Sequence, residues 1–263
     1  MKTNIISKFV QAAAACLISG SVMAAGTPVD LNGWKANGTG GNWTVQAGDD
    51  SVKQSLNSAT PTIFHNDQNS QDLALSGEIT VQTTTDNDFI GFVLGYNDGD
   101  VTNASANYIL IDWKQTDQTN NGGVGLDGLA ISRVTGALQP NGGSHGLNDA
   151  WDHNGVVTEL ARATTLGSTG WLDNTTYSFD LIFTATQIQV SVNDIVQLSI
   201  NGMFNNGGFG FYNFSQENVL YAGIEERTAP PIGEVPVPAA LFLFAPALLG
   251  FLGLRRKAKN SAA

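Results

Sequence analysis

The central part of this sequence predicts an all-β fold, a sandwich or a barrel. Three observations carry that prediction. Thirty glycines, with many Asn, Asp, Ser and Thr residues, cut the chain into short segments. Those segments alternate apolar and polar residues with a period of two, the mark of half-buried strands. Between the two ends, no segment carries an apolar stripe of helical period. Many short strands joined by such turns build sandwiches or barrels.

In chain order, strands are expected over residues 73–82, 89–96, 108–115, 128–134 and 156–162. Segments 89–96 and 108–113 are apolar on both faces, so they belong in the centre of a sheet that is covered on both sides. Segment 176–184 puts Tyr177, Phe179, Leu181 and Phe183 on one face, and Ser178, Asp180 and Thr184 on the other. In 187–193, Ile188, Val190 and Val192 point inward. Asn193-Asp194 then makes a tight turn into 195–200, completing a hairpin. Strands over 208–213 and 219–226 close the series. No internal repeat and no second domain is visible.

The two ends have a different character. Lys2 and Lys8, an apolar stretch over 9–18 and Val22-Met23-Ala24 have the layout of a secretory signal peptide, cleaved after Ala24 or at the neighbouring Ala25. Cys16, the only cysteine, lies inside this segment. The exported chain then has none, which excludes a disulfide framework and a cysteine metal site. At the other end, residues 237–254 carry no charge and are followed by Arg255, Arg256, Lys257 and Lys259. A helix of this length spans a bilayer, with its basic flank on the cytoplasmic side. Pro246 kinks such a helix, which membrane spans tolerate. The expected organisation is a signal peptide (1–24), one β-sandwich (25–227), a Pro-rich linker (228–236) and a tail (235–259) with a transmembrane helix at 237–254.

The tail opens on Val235-Pro236-Val237-Pro238. This motif, an apolar helix and a basic end, in that order, resemble the PEP-CTERM sorting signal of Gram-negative bacteria. Val237 stands where the family name has Glu. The resemblance implies processing by an exosortase during export, at least transient contact with the membrane, and a final place in the envelope, at the cell surface or in the extracellular matrix.

All 23 acidic residues lie between Asp30 and Glu234, against six of the twelve basic ones, so this stretch carries a net charge of −17. Such a surface repels nucleic acid and anionic headgroups and attracts cations. It also serves to keep an exported protein soluble.

Around Asp86 the chain reads TDNDFIGFVLGYNDGD, then ANYILIDWKQ. GLAISRVTG, STGWLDNTTYSFDLIF and GGFGFYNFSQENVLYAGIEE follow in that order. These segments resemble the C-terminal lectin-like domain of thrombospondins. The resemblance implies a jelly-roll sandwich of the concanavalin A-like, legume-lectin type, with calcium binding and adhesion to cells and matrix. The family's Asp-rich calcium repeats, growth-factor-like modules, cysteines and Arg-Gly-Asp sequence are missing here. Receptor and matrix partners therefore do not carry over.

Asp86, Asp88, Asp98 and Asp100, with Asn87 and Asn97, are the candidate calcium ligands. One pair precedes the 89–96 strand and the other follows it, which makes two separate sites the expectation. Calcium takes six to eight oxygens from flexible loops, and Asp-x-Asp among glycines supplies them. The same residues are also ordinary turn formers. Asp112, in a strand apolar on both faces, needs a partner, either Lys114 on the same face or a bound cation. Trp34, Trp43, Trp113, Trp151 and Trp171, with Tyr96 and Tyr108, are candidates for a sugar platform. Trp151 is of particular interest because it sits in a polar loop beside Asp149, Asp152 and His153.

Glycan hydrolysis needs two carboxylates facing one cleft. Glu225 and Glu226 are adjacent and point apart, and Glu78, Glu159 and Glu217 have no acidic neighbour two or four residues away. His65, His145 and His153 lack metal-site spacing. The expected function is a calcium-binding adhesion or carbohydrate-binding module whose partners are polysaccharide or matrix proteins. A passive matrix component and a glycan-active hydrolase are the alternatives.

Overall fold

The computed structural model describes residues 25–139, 143 and 146–230. The signal peptide with Ala24, most of the linker, the motif Val235 to Pro238 and the apolar tail lie outside them. Among the described residues, no helix is long and apolar enough to cross a membrane.

Seventeen strands form among these residues. The first five are short: β1 (Thr27–Pro28), β2 (Lys35–Asn37), β3 (Trp43–Val45), β4 (Val52–Gln54) and β5 (Thr62–His65). Longer ones follow in β6 (Leu73–Val81), β7 (Phe89–Tyr96) and β8 (Tyr108–Lys114). A small hairpin, β9 (Gln118–Asn120) and β10 (Gly123–Gly125), precedes β11 (Gly128–Val134). After one helical turn, α1 (Asp149–Asp152), come β12 (Val157–Arg162), β13 (Thr176–Phe183), β14 (Gln187–Val192), β15 (Ile195–Asn201), β16 (Gly208–Phe214) and β17 (Val219–Thr228).

Two antiparallel sheets result. The first runs β15-β14-β13-β6-β17-β4-β3, with β1 also on β17; the second runs β12-β11-β8-β7-β16-β5-β2. Between them lies the main core. Leu75, Ile79, Phe179, Leu181, Phe183, Val190 and Tyr221 from the first sheet meet Ile90, Phe92, Leu94, Ile111, Trp113, Phe209 and Phe211 from the second. Phe92 lies 4.5 Å from Phe179 and Phe211 lies 4.3 Å from Tyr221, centroid to centroid. The Tyr221 hydroxyl crosses the core to accept from the Gly91 amide and to donate to the Tyr212 carbonyl.

The expected alternation holds in β13, where Phe179, Leu181 and Phe183 enter the core. β7 and β8 sit in the middle of the second sheet and are buried along their whole length. Their outer faces, with Phe89, Val93, Tyr96, Tyr108 and Leu110, form a second core under Val101, Leu138, Ala150, Trp151 and Val157. The Asn193-Asp194 turn has φ of 49° and 61°. Positive φ at both central residues is the turn whose twist matches a hairpin, and it joins β14 to β15 with Val192 opposite Ile195.

Candidate functional site

The four candidate calcium ligands lie at opposite ends of β7. Its eight residues separate the ends by roughly 26 Å at 3.3 Å per residue. At the near end, Asp86 accepts a hydrogen bond from the Asn57 side chain. Asp88 is buried, and its carboxylate lies 2.5 Å from the Lys114 ammonium. The register explains this, since Phe89 of β7 faces Lys114 at the end of β8. Lys114 also donates to the Asn87 carbonyl and to Gln118 Oε1, both at 3.1 Å. Its ammonium lies 5.1 Å from the Phe89 ring centroid and 4.9 Å from that of Trp151. Burial raises the Asp88 carboxyl above its ordinary range, and the Lys114 ammonium opposes that shift.

At the far end, Asp98 accepts from Lys35 Nζ at 2.9 Å and from Asn37 Nδ2 at 3.0 Å. These bonds hold its carboxyl down at about 2. Lys35 also reaches Asp67 at 2.6 Å. The Asp67 amide donates to His65 Nδ1, so the ring proton sits on Nε2, which faces Asp98 at 3.4 Å. Burial lowers the His65 pKa, which keeps the ring neutral at neutral pH. Asp100 turns inward instead. Its oxygens accept from the Asn97 amide, the Asn97 side chain and the Asn103 side chain, which folds the loop onto itself.

These residues do not fit a calcium ion as they stand. The four carboxylates do not converge, and each is engaged by an ammonium or by amide donors. Among the described residues, no group of three or more His, Cys, Asp or Glu side chains is placed to hold a metal.

Asp112 departs from expectation. Its partner is not Lys114 but His153, whose Nε2 lies 2.8 Å from Asp112 Oδ2. His153 closes α1 in a left-handed conformation, and its Nδ1 lies 3.0 Å from Glu159. Burial alone lowers this imidazole's pKa. The charge and hydrogen bond of Asp112, with the bond to Glu159, outweigh burial and raise it to about 10. The ring is thus an imidazolium between two carboxylates, clamping α1 and β12 onto β8.

No tryptophan forms an open platform. Trp113, Trp151 and Trp171 are buried, and half-buried Trp34 and Trp43 stack on Phe64. Trp151 packs edge-on against Phe89 and Phe214 as a core residue. Tyr96 and Tyr108 are buried as well.

Among the described residues, an open depression of about 390 Å³ lies on the outer face of the first sheet. Register builds it: Glu225 of β17 faces Ser76 of β6, Ser76 faces Asp180 of β13, and Asp180 faces Ser191 of β14. The serines are short, so the floor recedes, while Asp194 and Arg227 complete the wall. Arg227 Nη2 lies 2.5 Å from Asp180 Oδ2. Asp180 Oδ1 has no partner among the described residues. A guanidinium offers five donors in a fixed fork and a carboxylate offers only acceptors; this pair lies largely buried at the floor, and the exposed carboxylates beside it are those of Glu225 and Asp194. Sequence reasoning placed Ser178 and Asp180 on the polar face of one strand. It missed the groove because three parts of the chain far apart in sequence, β6, the β13–β14 hairpin and β17, build it.

The fold is a two-sheet antiparallel β-sandwich. Among solved structures, the carbohydrate-binding module CBM66 from Bacillus subtilis aligns with a TM-score of 0.50 at 11% identity, covering 74% of this chain and 95% of that one. That likeness shows the fold. Residues 39–229 match the family described as the thrombospondin C-terminal region, and the chain belongs to that family. Human thrombospondin-3 is 27% identical over 212 residues, covering 73% of this chain, and bovine thrombospondin-4 is 26% identical over 208 residues, also 73% of this chain. The chain spans 21% of the length of each of these relatives.

Proposed function

We propose that this chain is an extracellular, non-enzymatic glycan-binding module that holds polysaccharide in the groove on its first sheet. The carrying observation is the row Glu225–Ser76–Asp180–Ser191 with Arg227 beside it. Sugar hydroxyls donate to a carboxylate and accept from a guanidinium, and charge-assisted bonds of this kind are the stronger ones. The groove's volume falls in the range of roughly 300–1,000 Å³ typical of ligand sites. Membership of a family of extracellular proteins and the fold shared with a carbohydrate-binding module support the same reading.

Residues 1–24 export the chain from a Gram-negative cell. The Val235-Pro236-Val237-Pro238 tail presents it to an exosortase, which leaves the domain in the envelope or matrix. Calcium has no step in this reading, because the residues do not fit the ion.

Retention of the exported chain on immobilised polysaccharides, including exopolysaccharide, tests the proposal. Binding should be saturable. Ser191→Trp fills the groove from a half-buried position on its floor and should weaken binding at least tenfold while the melting temperature holds. Retention untouched by Ser191→Trp and Asp180→Asn removes the groove from the proposal. No retention on any polysaccharide makes the chain a passive matrix component.

A further inference from the structure

We infer that two lysine ammonium groups, Lys114 Nζ and Lys35 Nζ, are the resident cations at the two ends of β7, so that the domain folds without a divalent ion. This inference does not rest on glycan binding.

At each end the ammonium has taken the place a bound cation would need. Lys114 Nζ is surrounded by Asp88 Oδ1 at 2.5 Å, Asn87 O at 3.1 Å and Gln118 Oε1 at 3.1 Å. Those three oxygens use all three donors of an ammonium. They are a carboxylate, a backbone carbonyl and a side-chain amide, the ligand types that calcium uses. Lys35 Nζ in turn draws Asp67 Oδ2 and Asp98 Oδ2 to within 2.9 Å of one point. Each lysine comes from the strand next to the carboxylates it serves: β8 lies beside β7, and β2 pairs with β5, whose end leads into Asp67.

A tethered cation is present whenever the chain is folded, whatever the concentration of free ions. To enter the buried end, calcium must drive an ammonium away from its oxygens and against the Phe89 and Trp151 rings. At the exposed end, Lys35 can swing into water. That end therefore shows the exchange most clearly, since removing its side chain leaves two carboxylates converging on an empty point.

The test compares melting of the exported chain, and of its Lys35→Met variant, in chelator and in calcium. About 5 mM calcium lies at least several-fold above the affinity range of extracellular calcium modules. The wild-type melting temperature should be the same in both, and calorimetry should show no saturable calcium binding. Lys35→Met should melt lower than wild type in chelator, and calcium should raise it by about 2–4 °C as the ion replaces the lost ammonium. Lys114→Met risks unfolding outright, so the exposed-end variant carries the test. Saturable calcium binding by wild type that Asp98→Asn or Asp88→Asn abolishes overturns the inference. A Lys35→Met variant that melts alike in calcium and chelator overturns it at the exposed end. Polysaccharide retention in chelator is read separately and belongs to the proposed function.

Discussion

The two ends of β7 carry the same chemistry in opposite surroundings. At one end the Lys114–Asp88 pair is sealed under Trp151 and Phe89, with the lysine side chain fully buried. At the other, Lys35 and Asp98 keep 49% and 43% of their side-chain surface in water. The shorter contact belongs to the buried pair, but distance is not what separates them energetically. In water, an ion pair gains little beyond what solvent already gives each partner. In the interior, each ion has given up its hydration, and the loss of either partner strands the other. The buried end therefore holds the structure together, while the exposed end only orders a loop.

The largest expected effect follows from that contrast. Lys114→Met keeps much of the volume and leaves Asp88 as an uncompensated buried charge, a loss of about 3–5 kcal/mol. Chemical denaturation should show it as a fall in midpoint at unchanged slope. The double variant Lys114→Met/Asp88→Leu removes both charges and should recover most of that loss. If the double variant is no more stable than the single one, the bonds from Lys114 to Asn87 and Gln118 matter more than its charge, and the comparison fails at this end.

The next effect separates the ends by pH. His153 clamps Asp112 near the buried end, and its pKa in the fold, about 10, lies above its ordinary value of 6.5. A raised imidazole value stabilises fully below 6.5, and that contribution is lost as pH rises from there through about 10. Melting temperature should therefore fall across this alkaline window. His153→Gln should lower stability at pH 6 and flatten the decline. A decline of unchanged steepness in the variant would assign it to another group.

Much of this arrangement is legible in the sequence, and the remainder is missing for identifiable reasons. The long strands show themselves because seven to ten residues give the period of two room to repeat. β7 and β8 stand out as central because both their faces are apolar. The strands β1 to β5 have only two to four residues each, too few to establish a period. The sequence alone points Asp112 to Lys114, its same-face neighbour, or to a bound cation. Antiparallel register instead sets Lys114 beside Phe89, one residue from Asp88, while His153 arrives from a helical turn forty-one residues away. Lys35, Asp67 and Asp98 lie on three separate segments, and nothing in their local sequences announces a cluster. The groove is hidden for the same reason, since Ser76, Asp180, Ser191 and Arg227 become neighbours only once the strand order is known.

The smallest effect belongs to the exposed end and depends on salt. The Asp98 carboxyl, held at about 2 against an ordinary 3.8 by its bonds from Lys35 and Asn37, contributes stability above 3.8 that is lost as pH falls through about 2. Because these groups are solvated, mobile ions compete with Lys35 for the same carboxylates. Screening acts over about 10 Å at 0.1 M salt and about 3 Å at 1 M. In chelator, the melting difference between wild type and Lys35→Met should therefore be small at low salt and vanish in 1 M sodium chloride. The deficit of Lys114→Met should persist there, because its partner is out of reach of the solvent ions. Equal salt sensitivity at the two ends would mean that burial does not distinguish them, and the contrast drawn from β7 would have to be abandoned.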